Sequence, residues 1–341
     1  MNILAFESSC DETSASVVCA KEEEIVVLSN IIASQISVHA LYGGVVPEIA
    51  SRAHVEAISS ITYEALEKAN LNISQIDLIA VTNSPGLIGA LLVGVNFAKA
   101  LAFANNIPLI AIDHIKGHIA ANYIEHPELK PPFIAFVASG GHTSIIKVNN
   151  YTDIETIGRT RDDAIGEAFD KVGRIMGLPY PGGKEMDRLA SIGNKDFAKF
   201  PSGAIHDDSL DFSFSGLKTH IVNYLHTAEQ RGQEISKEDV AAAFTKTVCE
   251  SVKIKLKQAI EIHGISKLVV AGGVSANSHL RNMLTELANQ TNSELYMPSI
   301  SLCGDNAAMI AAQAYHEYKT GEFATTSLNA YATKVTKKIK N

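Results

Sequence analysis

The chain has 341 residues, enough for about two domains, and its 46% hydrophobic and 19% charged residues exclude a globally disordered chain. The formal net charge of −8, from 29 basic and 37 acidic residues, argues against non-specific nucleic-acid binding, because phosphate affinity rests on clustered Lys and Arg. No apolar run is expected to reach the roughly 18 residues of a membrane span, the start MNILAFESS lacks the basic region of a signal peptide, and four scattered cysteines without a CxxC argue against a disulfide framework.

These features lead us to expect a cytoplasmic protein with no membrane contact, in which the sequons at Asn72 and Asn150 are chance matches. In chain order, Asn2–Phe6 reads as an apolar strand, Glu7–Thr13 as a polar turn, and Ala15–Ala20 and Ile25–Ala33 as two further strands. Pro47 opens a helix through Asn70, with Ile49, Ala53, Ala57, Ile61, Ala65 and Ala69 as its apolar stripe. Asp77–Thr82 is a strand, Gly86–Ala104 a buried small-residue helix, and Ile107–Ile112 a strand delivering the chain to His114. Then the opening pattern returns: strand Phe133–Ala138, glycine turn Ser139–Thr143, strand Ser144–Val148. A broken helical region runs from Asp163 to about Tyr224, and Ser236 with Asp239 starts a helix to His263. Strand Lys267–Ala271, a helix from about Ser275 and a final helix Asn306–Tyr318 complete the series.

Alternating strands and helices imply an α/β protein. The repeated hairpin implies a duplication, with two similar halves facing a nucleotide cleft. The expected divisions are 1–130, allowing that C-terminal helices return to it, 131–325 with a helical insertion at about 160–235, and a basic tail 326–341.

Four local patterns carry chemistry. His114 and His118 lie four residues apart, so a helix puts both on one face, able to hold one divalent metal; the alternative is two partly exposed histidines at a helix start. Asp305 is a candidate third ligand or a plain N-cap. Two histidines and a carboxylate with open positions suit iron or another first-row metal. Ala138–Thr143 and Ala271–Asn277 offer glycine turns where backbone N–H groups can approach an anion, or simply tight turns. The acidic turn Glu7–Thr13 supplies hydroxyls and carboxylates for phosphate or a metal-bound water, or is a solvated hairpin turn.

The chain resembles the bacterial-type tRNA threonylcarbamoyladenosine transferases, once labelled glycoprotease-like. The resemblance is carried in order by ESSCDET (Glu7–Thr13), YGGVVPEIASRAH (Tyr42–His54), NSPG (Asn83–Gly86), HIKGH (His114–His118), SGGHT (Ser139–Thr143), FDKVGR (Phe169–Arg174), YPGG (Tyr180–Gly183), FSFSGLK (Phe212–Lys218), GGVSAN (Gly272–Asn277) and CGDN (Cys303–Asn306). It implies the duplicated fold of actin, sugar kinases and heat-shock ATPases. It implies transfer of a threonylcarbamoyl group from threonylcarbamoyl-AMP to the N6 amine of the adenosine 3′ of the anticodon, in tRNAs reading codons that begin with A. It further implies a divalent metal on His114, His118 and Asp305, iron first, with zinc or magnesium as alternatives. Substrate contacts, to an adenine nucleotide or the acyl adenylate, fall at Val137, Ala138, Ser139, Gly140, Gly141, Asp170, Gly183, Asp187 and Asn277. A paralogue of the same fold (TsaB-type) and a P-loop ATPase (TsaE-type) are the implied protein partners.

Asp11 is our candidate for orienting or deprotonating the amine, from its place on the first phosphate-type turn. A zinc protease is disfavoured because the HExxH glutamate is missing and the loops are of nucleotide type, and the paired histidines favour the transferase over a small-molecule kinase. A non-enzymatic scaffold is disfavoured because all three ligand candidates are present. A tRNA substrate and a charge of −8 are compatible if basic residues are local, on Lys246, Lys253 and Lys257 or in the tail Lys334–Lys340.

Overall fold

Nearly continuous buried residues build β1 (Asn2–Glu7) and β2 (Glu12–Lys21), which with β3 (Glu24–Ser34) form three antiparallel strands. After a short helix, α1 (Ile36–Ala40), Pro47 stands at the first position of α2 (Pro47–Lys68), where its fixed φ and missing N–H cost nothing. β4 (Leu78–Ser84), α3 (Ile88–Asn105), β5 (Leu109–Asp113) and α4 (His114–Glu125) follow. The second series is β6 (Phe133–Ala138), β7 (Thr143–Val148), β8 (Ile154–Arg159), α5 (Ile165–Ile175), α6 (Gly182–Ala190), α7 (Ser215–Gln230), α8 (Lys237–His263), β9 (Lys267–Ala271), α9 (Ser278–Thr291), β10 (Glu294–Tyr296) and α10 (Ile300–Cys303). The last helix is α11 (Ala307–Tyr318). The computed structural model describes residues 1–22 and 24–333, so the basic tail Lys334–Lys340 lies outside the described residues.

The chain forms two units, one from Met1–Leu129 with the segment from Asp305, the other Lys130–Gly304. The first holds a sheet of order β3-β2-β1-β4-β5 and the second a sheet of order β8-β7-β6-β9-β10. In both, the first three strands are antiparallel and the last two add in parallel to the first strand of the unit. The two sheets therefore share one topology, as the repeated hairpin led us to expect. The segment from Asp305 contributes α11 to the first unit, where it packs on α4 and β2. The core of the first unit joins Leu4, Phe6, Val17, Ile58, Ile61, Leu91 and Val95; that of the second joins Phe136, Phe169, Phe212, Phe244, Val252 and Leu284.

Several local expectations shift. α2 buries Ala50, His54, Ile58, Ile61, Thr62 and Ala65, whereas Ile49, Ala53 and Ala57 are half-buried. The true stripe was masked by the polar His54 in its middle. β8 and the three-residue β10 escaped notice because each is short and weakly alternating. The helical region Asp163–Tyr224 divides into α5, α6 and the start of α7, with an irregular stretch at 191–214. α3 is, by length and composition alone, long and apolar enough to cross a membrane, contrary to the sequence expectation. In this structure it lays Ala90, Leu91, Gly94, Val95, Ala98 and Ala102 against β4 and α2. All four cysteines are free.

Candidate metal centre and substrate loops

α4 begins where β5 ends. Asp113 caps it, its Oδ1 accepting from Ile115 N–H at 2.8 Å and Lys116 N–H at 3.2 Å. His114 and His118 then stand one turn apart, rings 4.5 Å from centroid to centroid and both buried. α11 approaches α4 closely at Gly117, where a Cβ would stand 2.6 Å from Ile310 Cδ1. Asn306, not Asp305, caps α11, its Oδ1 accepting from Met309 N–H at 3.0 Å. That leaves the Asp305 carboxylate beside the histidines: its Oδ1 is 3.6 Å from His114 Nε2 and 3.2 Å from His118 Nε2. Ligand atoms of one ion with bonds of about 2.1 Å stand roughly 3–3.5 Å apart, so the separations fit a shared metal.

The surroundings set the orientation and the charge. Glu7, fully buried at the end of β1, takes a hydrogen bond from Thr82 Oγ1 at 2.6 Å and lies 3.0 Å from His114 Nδ1. Ser9 Oγ is 3.2 Å from the same nitrogen. Nδ1 is thereby occupied by Glu7, and Nε2 is turned to Asp305, the arrangement by which a carboxylate orients a metal-binding histidine. Burial opposes a charge on His114, but Glu7 and Asp305 outweigh it and push the ring up to about 9. Burial likewise works against the Glu7 carboxylate, and His114 outweighs it, holding that carboxyl below its usual range. Glu12 is pushed up to about 9 by burial and then by Asp305 and Asp11. The cluster thus demands positive charge. Both ring nitrogens of His118 are buried without a hydrogen bond, and a coordinating cation would satisfy Nε2 and the crowded carboxylates together.

Asp11 follows on the same turn, half-buried, its carbonyl held by Gln35 N–H at 3.0 Å. Glu7 and Ser9 were read from the sequence only as part of the acidic turn Glu7–Thr13, not as partners of His114, and Thr82 was not singled out.

In the second unit, Val137 and Ala138 are buried in β6, and the turn after it closes through Ser139 N–H to His142 O at 2.8 Å. Gly140 and Gly141 are exposed, with open space where side chains would be. Gly272, after the neighbouring β9, has φ +89°, and a Cβ there would lie 2.4 Å from Ala138 O. Only glycine suits that close approach. The structure therefore brings the Ser139–Gly141 and Gly272–Asn277 turns to the same ends of adjacent strands. Asn277 caps α9 through Leu280 N–H at 2.9 Å. Asp187 reaches the same helix start, accepting from Ser278 N–H and Oγ–H at 3.0 Å. Asp170 Oδ1 accepts from Gly182 N–H at 2.7 Å, beside Gly183. These bonds give Asp170, Asp187 and Asn277 a role in shaping the loops.

A family model described as TsaD, tRNA N6-adenosine threonylcarbamoyltransferase, matches residues 26–312. A curated relative of that name from Clostridium botulinum is 52% identical over 330 residues, 97% of this chain and 96% of that protein. One from Clostridium beijerinckii is 52% identical over 328 residues, 96% of each chain. Among solved structures, T. kodakarensis HypF matches with a TM-score of 0.65 at 14% identity, over 94% of this chain and 48% of that one. Component A of the Acidaminococcus fermentans (R)-2-hydroxyglutaryl-CoA dehydratase matches with a TM-score of 0.55 at 15% identity, over 94% of this chain and 99% of that one. These neighbours share the fold: the duplicated, actin-like architecture.

Proposed function

The chain belongs to the TsaD family of tRNA N6-adenosine threonylcarbamoyltransferases, and from that premise we propose how its residues divide the work. The enzyme is an acyltransferase that modifies tRNA, placing a threonylcarbamoyl group on N6 of adenosine. The amine is a poor nucleophile, its lone pair being delocalised into the purine, so the donor must carry a good leaving group. Threonylcarbamoyl-AMP meets that need: the N6–carbamoyl bond forms, the bond to the phosphate oxygen breaks, AMP leaves, and N6 gives up a proton.

In our reading His114, His118 and Asp305 hold one divalent metal, iron first by the donor set, with zinc or magnesium as alternatives. When bound, it supplies Lewis-acid stabilisation of negative charge on the donor's phosphate. Asp11 orients the amine or takes its proton. Val137 to Gly141 with Asn277 line the adenine nucleotide or acyl adenylate, the backbone N–H groups of Gly140 and Gly141 serving as donors; Asp170, Gly183 and Asp187 complete that loop set. The buried, unbonded ring nitrogens of His118 beside Asp305 carry the metal assignment.

The protein partners are a paralogue of the same fold (TsaB-type) and a P-loop ATPase (TsaE-type). A groove of about 460 Å³ between α2 and α3, lined by Val55, Ile58, Leu92, Val93 and Phe97, supports a paralogue docking on those helices. The test is mass spectrometry of tRNA nucleosides after incubation with threonylcarbamoyl-AMP. Wild-type protein is expected to yield threonylcarbamoyladenosine. The double variant His114→Ala/His118→Ala is expected to lose metal and transfer together; full activity in the metal-free variant would sink the metal assignment.

A further inference from the structure

Three elements hold the Glu7–Thr13 turn by its backbone carbonyls. Ser9 O accepts from Leu87 N–H at 2.8 Å and Asp11 O from Gln35 N–H at 3.0 Å. Between them, Cys10 O accepts from His54 Nε2–H at 3.0 Å. His54 is the only side chain among these three donors, and it is fully buried on the sheet-facing stripe of α2, between Ala50 and Ile58.

The ring's tautomer follows from its partners. A carbonyl only accepts, so Nε2 carries the hydrogen, and in a neutral ring Nδ1 then accepts from Thr13 Oγ1, 2.7 Å away. Burial holds the ring below the usual histidine range, which keeps it neutral. Both nitrogens thus serve the one turn, although an apolar residue would fill the stripe.

A trans peptide points its C=O and N–H in opposite directions. The bond from His54 to Cys10 O therefore turns Asp11 N–H away from α2. The bond from Leu87 N–H to Ser9 O turns Cys10 N–H away from the start of α3. Neither N–H makes a hydrogen bond among the described residues. Successive amide donors left open on a turn suit an anionic oxygen.

We propose that His54 is a positioning residue of the transfer reaction: it locks the Cys10–Asp11 peptide so that Asp11 N–H donates to the phosphate of the acyl adenylate. This rests on the reading of the turn as part of the active site. It is tested on the full chain with preformed threonylcarbamoyl-AMP and tRNA. His54→Leu keeps the bulk and removes both bonds; His54→Gln restores an N–H near the position of Nε2. The Leu variant is expected to raise KM for threonylcarbamoyl-AMP at least tenfold, with KM for tRNA within twofold and metal content at the wild-type level. The Gln variant is expected to recover most of that loss. An unchanged KM for threonylcarbamoyl-AMP in folded His54→Leu overturns the proposal. So does an equal rise in both KM values in the Leu and Gln variants, which marks His54 as packing only. Should the Leu variant not fold, Thr13→Val frees the tautomer and is expected to raise the same KM three- to tenfold; a wild-type value there overturns the proposal. A wild-type chain that modifies no tRNA is a separate result and overturns the functional reading itself.

Discussion

At the scale of single residues, burial and partner decide what a histidine does. His54, His114 and His118 are all buried, yet one braces a turn, one is aimed by a carboxylate and one lacks any hydrogen bond. His316 on α11 shows a fourth outcome. It packs edge-on to Tyr123, centroids 5.0 Å apart, and burial, with Lys319 adding, pulls its ring down to about 4. The folded state thus keeps His316 neutral at pH values where the unfolded chain protonates it. Its contribution is complete above about pH 6.5 and is lost as pH falls from there towards about 4, amounting to at most about 3 kcal/mol. We expect the melting temperature of the wild type to fall more steeply between pH 7 and pH 5 than that of His316→Gln. Parallel curves would show that His316 does not govern this acid sensitivity. Of the residue-level readings, His114, His118 and Asp305 were legible because i, i+4 spacing and a CGDN turn are local patterns. His54 and the pairing of Glu7 with His114 were not, because a lone histidine in an apolar stripe and one carboxylate of an acidic turn acquire their partners only from what lies across the fold.

At the scale of elements, glycine sets how closely the turns at strand ends approach one another. Gly272 is the sharpest case, with positive φ and a virtual Cβ only 2.4 Å from the Ala138 carbonyl oxygen. Gly272→Ala is expected to destabilise the second unit by about 1–3 kcal/mol and to shift the Ser139–Gly141 turn, raising KM for the acyl adenylate. Denaturant unfolding checks the first effect, and a wild-type midpoint would refute the claimed clash. Gly140 and Gly141 meet nothing within 4 Å, so their replacement is not predicted to cost stability by this route. Element positions in the sequence reading were good where periodicity was strong: β6 and β9 appear with the expected limits, and α8 begins just after its cap, Ser236. They failed at β8 and β10, where short strands are specified by the neighbours they pair with.

At the scale of the whole molecule, the duplicated sheet order and the charge bear most on function. The lysines proposed as a local basic patch on α8 prove to be partly engaged: Lys246 pairs with Asp196 at 2.6 Å, and Lys257 lies 3.9 Å from Glu261. A net charge of −8 over such a surface predicts weak, salt-sensitive tRNA binding by the chain alone, and a larger share of the affinity from a partner. Filter binding between 50 and 200 mM salt is expected to show affinity falling steeply. Tight binding by the isolated chain at physiological salt would contradict this.

Sequence by itself determined the family, the α/β alternation and the duplication, since motifs, hydrophobic period and repeated hairpins are written locally along the chain. It also determined the paired histidines, because helical spacing alone puts them on one face. Only the tertiary structure decided that Asp305 joins them rather than capping a helix: that depends on α11 returning to the first unit and on Asn306 taking the cap. It alone decided the charge state of that cluster and the role of His54, because both arise from groups distant in sequence and brought together by folding. Local patterns follow from backbone geometry, whereas charge, tautomer and orientation follow from desolvation and from partners that only the packed chain supplies.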